Sequence, residues 1–130
     1  MTVARAKGDK GACDRLASQL VRMRGRCQYP GCTDPHKNLQ AAHIIGRSWN
    51  GTRARLDNLL CLCASHHFLI DAFPDEKLWI TETVYGEGHY DELREAARLG
   101  VNVKVDWRAE RERLTGLLEA AGKAQHWEGM

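Results

Sequence analysis

No apolar run in the 130-residue sequence reaches the length of a membrane span. Internal repeats and low-complexity tracts are also missing, and the length suits one domain with a modest core. Met1 to Lys10 is charged and has no apolar stretch after it, so no secretory signal is expected. The expected location is cytoplasmic, in a bacterium or a phage-infected host cell. A large charge imbalance is absent too: the formal net charge is only +2. Cysteine is not scarce, but its count of five is odd. Without an export signal, that favours metal binding over a disulfide framework.

What is present is unevenly distributed. Between Arg22 and Arg55 seven Lys or Arg stand against one acid, Asp34, whereas acids outnumber bases from Leu56 onward. A basic stretch in an otherwise acidic chain reads as an anion-facing surface. Cys13, Leu16, Ala17 and Leu20 recur at helical spacing, predicting an N-terminal helix over 12–24 that stops at Gly25. Pro30-Gly31 between Cys27 and Cys32 marks a tight turn. Leu39–Ile45 reads as a short strand, Gly46–Arg55 as a polar loop and Leu59–Cys63 as a second strand. A helix from Ala64 through His67 and Asp71 should end at Pro74.

The extension 74–122 reads as mainly helical. Pro74 to Gly86 suits a helix, although Trp79–Val84 would equally suit a strand. Asp91–Leu99 is a helix closed by Gly100. Val101, Val103 and Val105 alternate in an extended segment, and Asp106 caps a last helix with a stripe of Leu114, Leu117, Leu118 and Ala121.

Two ligand pairs stand out. Cys27 and Cys32 come from one turn; Cys63 and His66 come from a strand end and the helix after it. Zinc takes four such ligands in a tetrahedron, and two pairs from separate turns supply them. Cys61 is the alternative to His66, whose two-residue gap from Cys63 is the better knuckle spacing. With four protein ligands such a zinc is structural, with no open position for water.

Between and beyond the cysteine pairs the chain reads Leu39-Gln-Ala-Ala-His-Ile-Ile-Gly-Arg-Ser and Leu56-Asp-Asn-Leu-Leu-Cys-Leu-Cys-Ala-Ser-His-His. Over residues 27–73 this resembles the HNH (His-Me finger, ββα-metal) endonuclease family. His43, Asn58 and His67 stand at the three motif positions, fifteen and nine residues apart. Arg53 and the tail are similar to small phage-encoded members. The resemblance implies an α+β fold: a zinc-braced ββα core at 27–73, with an N-terminal helix and a C-terminal helical extension, in a single domain of 1–130.

It also implies metal-dependent hydrolysis of DNA. A neutral imidazole at His43 would activate water, and His67 would hold a catalytic Mg²⁺ or Mn²⁺, with Ni²⁺ as a further candidate. Asp71 lies one helical turn beyond His67 and is the expected second ligand. Asn58 would either hold the loop and orient His43 or touch the metal. Many members place Asp or His directly before the base. Here that residue is Ala42, which puts weight on Asp71 and Asn58. Arg47, Arg53 and Arg55 are the expected DNA contacts, and a phage or host protein partner is left open. The second reading is a non-cleaving zinc-knuckle module that binds nucleic acid or protein.

Overall fold

The structure, a computed structural model, describes residues 8–128, and side chains as far as residue 123. Of the polar stretch 1–10 only Gly8–Lys10 falls within them, and these residues are already helical. The order is α1 (Gly8–Arg22), β1 (Leu39–His43), α2 (Asn50–Arg53), a 3₁₀ turn (Leu56–Asn58), β2 (Leu59–Cys63), α3 (Ala64–Ala72), α4 (Pro74–Tyr85), α5 (His89–Leu99) and α6 (Trp107–Glu128). This is an α+β fold around one antiparallel hairpin, with Leu39 opposite Cys63 and His43 opposite Leu59. No described helix is long and apolar enough to cross a membrane.

Every residue of β2 is buried, because both faces of the hairpin are covered. Leu60 and Leu62, with Ala42 of β1, face a core shared with Ile70, Ile80 and Leu93 of α3, α4 and α5. Leu59 and Cys61 face the other way, against Cys13, Ala17 and Val21 of α1 and Leu114 of α6. A strand covered on both sides reads as a continuous apolar run, and Leu-Leu-Cys-Leu-Cys is one. In α1 the buried line runs through Cys13, Ala17 and Val21, with Leu16 and Leu20 at its margin.

Several expectations change. The first strand ends at His43 rather than Ile45. The polar loop contains a short helix. Pro74 does not merely interrupt: it occupies the first turn of α4, where its missing N–H costs nothing. Trp79–Val84 is therefore helical. Residues 101–105 pair with no described strand, since the sheet has only two. Asp106 does cap α6, its Oδ1 accepting from Ala109 N–H at 3.0 Å. The stripe on α6 is partly used: Leu114 is buried, Leu118 and Ala121 are half-buried and Leu117 is exposed.

Gly100 closes α5 for a different reason from the expected one. Its φ is −81°, an ordinary right-handed value. What requires glycine is contact: a Cβ there would stand 3.1 Å from the Gly51 Cα and 3.2 Å from the Ala96 carbonyl oxygen. Both neighbours are backbone and cannot swing aside. Gly100→Ala is thus expected to lower stability by about 1–3 kcal/mol. Urea unfolding measures this, and a midpoint equal to wild type would contradict the close approach.

Candidate nuclease site and metal centre

The Cys27–Cys32 turn is sewn to the outer edge of β2. Gln28 N–H donates to the Cys61 carbonyl at 2.7 Å, and Gln28 Oε1 accepts from Cys61 N–H at 2.8 Å. Arg24 reinforces the junction by donating to the carbonyls of Leu59 and Leu56. That placement carries Cys27 and Cys32 to the point where β2 ends and α3 begins.

There the ligand atoms of Cys27, Cys32, Cys63 and His66 all lie within 4.8 Å of one another. His66 Nδ1 is 3.4 Å from the Cys27 sulfur and 3.3 Å from that of Cys63, and the Cys32 and Cys63 sulfurs are 3.9 Å apart. A tetrahedral ion with metal–sulfur bonds of about 2.3 Å requires sulfur–sulfur edges of about 3.8 Å. The donor set and its spacing therefore fit a closed four-ligand site. Tyr29 stacks on the His66 ring at 4.1 Å and donates its hydroxyl to Glu76 of α4 at 2.8 Å. Cys61 sits elsewhere, buried with Cys13 under α1, so it is His66, not Cys61, that the fold brings to the cluster. Burial pushes the Cys27 thiol up to about 11; metal binding must displace that proton and should strengthen as pH rises.

His43 ends β1 at a cleft of about 550 Å³, which His67, Asp71, Arg47, Arg53 and Lys77 also line. His43 Nε2 lies 3.1 Å from the Arg53 carbonyl oxygen. A carbonyl only accepts, so Nε2 carries the proton and Nδ1 keeps its lone pair. Burial holds this imidazole below its ordinary range. The Arg53 carbonyl and Asp14 draw it back up, while the Arg47 and Arg53 charges press it further down.

His67 Nδ1 is 2.7 Å from Gln40 Oε1, which leaves Nε2 facing Asp71 Oδ2 at 3.4 Å. A nitrogen lone pair and a carboxylate oxygen at this separation suit two ligands of one cation. They suit a divalent ion that takes its other ligands from water and phosphate.

Asn58 lies behind this site rather than in it. The residue is fully buried. Its Oδ1 accepts from Ile45 N–H at 2.8 Å, and its Nδ2 donates to the Ile45 and Thr52 carbonyls, each at 3.0 Å. Of the two roles expected for it, the geometry matches loop-holding, with no side-chain atom exposed to meet a metal. Ala42 is likewise fully buried in the core, so an acid there would meet packing first.

The three arginines separate. Arg47 is exposed at the cleft. Arg53 is clamped by Asp14 of α1 through bonds of 2.9 and 2.6 Å, leaving its side chain 11% exposed. Arg55 makes the same kind of fork to Asp57 and does not line the cleft. Both guanidinium groups are thus paired with carboxylates, and Arg53 still lines the cleft whereas Arg55 does not. Trp49 lines a neighbouring groove with Tyr90 and Arg94. Gln40, Asp14 and Lys77 belong to the site without having been expected; each is recognisable only once α1, β1 and α4 are placed together.

A hairpin ending in a carbonyl-held histidine, followed by a helix with a cleft-facing histidine and tied to a Cys₃His cluster, defines a ββα-metal domain. Residues 27–74 match the model of a family described as HNH endonuclease. The matched stretch, less than half of the chain, is the one that carries His43, Asn58 and His67. No curated protein and no solved structure matches the chain.

One tightly held metal ion per chain is expected after dialysis. Cys63→Ser should lose it and unfold at lower temperature, and Cys61→Ser should keep it. Loss of metal from Cys61→Ser alone would reverse the ligand assignment.

Proposed function

We propose that the protein is a DNA endonuclease in which His43 activates water. The observation that carries this is the Nε2 contact to the Arg53 carbonyl, which leaves Nδ1 unprotonated inside a cleft shared with two cation ligands. In this reading Nδ1 takes a proton from water as it attacks the phosphorus, and the 3′-oxygen leaves. His67 and Asp71 would hold a divalent ion, Mg²⁺ or Mn²⁺ with Ni²⁺ as a further candidate, which when bound neutralises the phosphate and the leaving oxygen. Gln40 orients His67, and Asn58 holds the loop that holds His43. Arg47 and Lys77 add positive charge facing the phosphate. The Cys₃His cluster takes zinc in a purely structural role. The core 27–73 and its flanking helices act as one unit in the cytoplasm, with DNA as substrate.

A non-cleaving binding module is the second reading. The short ligand set favours it, because Ala42 offers no ligand and His67 and Asp71 stand alone. Nicking of supercoiled plasmid with and without Mg²⁺ separates the two.

His43→Ala should slow cleavage by a factor of about 100 to 10,000. The neutral imidazole is the active form, and its pKa is lowered. The wild-type rate should therefore rise with pH to a plateau, with a midpoint below the ordinary histidine value of about 6.5. A flat pH–rate profile, or His43→Ala cutting at the wild-type rate, would place the base elsewhere.

Asp71→Asn weakens an already short ligand set. Half-maximal cleavage should then need a higher Mg²⁺ concentration, while the zinc content stays at one per chain. A metal titration curve that does not move would leave Asp71 outside the ion's coordination.

A further inference from the structure

Helix α1 precedes the HNH segment at 27–74, yet its outer face continues the cleft. Arg15, Ser18, Gln19 and Arg22 line a second groove of about 400 Å³. Asp14, Ser18 and Arg47 border both this groove and the His43 cleft, so the two adjoin along α1 and together make up a channel. Residues 11, 15, 18, 19 and 22 recur at helical spacing, so the channel follows a single face of α1.

Among the described residues, the charge on that face that is left without an ion-pair partner is positive. Arg15, Arg22 and Arg47 form no ion pair among the described residues. The one acid, Asp14, is already neutralised by the fork from Arg53. Arg22 is held along the helix by its Nε bond to the Ser18 carbonyl at 3.2 Å. Ser18 and Gln19 add neutral donors between the arginines.

Resting on the nuclease reading, we infer that this face of α1 is a phosphate track that carries the backbone of duplex DNA toward His43. Arg15 and Arg22 are seven residues apart, about 10.5 Å along a helix axis. The two guanidinium groups are therefore far enough apart to meet different phosphates of one backbone, and Arg47 continues the line to the cleft. The track holds the backbone and reads no bases, so binding is independent of sequence.

The test is binding of the zinc-loaded full chain to two 20-base-pair duplexes of unrelated sequence, without added divalent cation, over a range of salt. Each phosphate contact contributes about 0.9 to the slope of log affinity against log salt. Arg15→Ala with Arg22→Ala should make that slope shallower by roughly 2 on both duplexes. The double lysine variant should restore it. Arg98→Ala, on α5 outside the channel, should leave it unchanged.

An unchanged slope in the double alanine variant overturns the track. So does a wild type that binds only single strands, or no DNA at all. The nuclease reading fails separately: wild type that binds with the expected slope but leaves plasmid intact under Mg²⁺ and Mn²⁺ keeps the track and loses the reaction.

Discussion

The site hangs on the side chain of Asn58. This one buried amide joins the start of the central loop at Ile45 to its short helix at Thr52, saturating both ends with three hydrogen bonds. The next carbonyl along, that of Arg53, is the one that holds the His43 ring. Without the amide, two buried carbonyls and an N–H would lose their partners, at about 1–3 kcal/mol each. The loop would then have little reason to keep its path. Asn58 therefore acts at one remove: it fixes a carbonyl, the carbonyl fixes a tautomer, and the tautomer exposes a lone pair.

The Cys₃His cluster performs the matching task at the other end of the hairpin. Few apolar residues lie between Gly25 and Leu39, so this segment has little burial with which to hold itself. The Gln28 pairing with Cys61 replaces part of that burial, and ligand bonds would replace more once a metal is bound. The Tyr29 ring, stacked on His66, passes the constraint on to α4. Asn58, and the cluster once it holds a metal, would brace the elements that bound the cleft, as positioning a reacting group requires.

Spacing made the local chemistry legible. Cys27, Cys32, Cys63 and His66 could be paired because ligands near one another in sequence stay near one another in a turn. The same holds for His67 and Asp71 on one helix. Features set by distant parts of the chain stayed hidden. Arg53 looked like a free cation because its partner, Asp14, is thirty-nine residues away. Gly100 was legible as a helix end, but not the close approach of Gly51 that requires a glycine there. Nor could the alternation of Val101, Val103 and Val105 show whether their segment pairs with a strand; the two-stranded sheet offers it no partner. Ala42 departs from the family pattern in sequence, and only the fold shows that its methyl group belongs to the core.

In the proposed reaction a carbonyl-held imidazole activates the water that attacks phosphorus, and the 3′-oxygen leaves. End analysis of a labelled DNA duplex, incubated with the zinc-loaded protein and Mn²⁺ at neutral pH, tests this most directly. The account predicts fragments carrying 5′-phosphate and 3′-hydroxyl ends, formed only when divalent cation is present. Fragments with 3′-phosphate ends, or a duplex left whole at every divalent concentration, would contradict it.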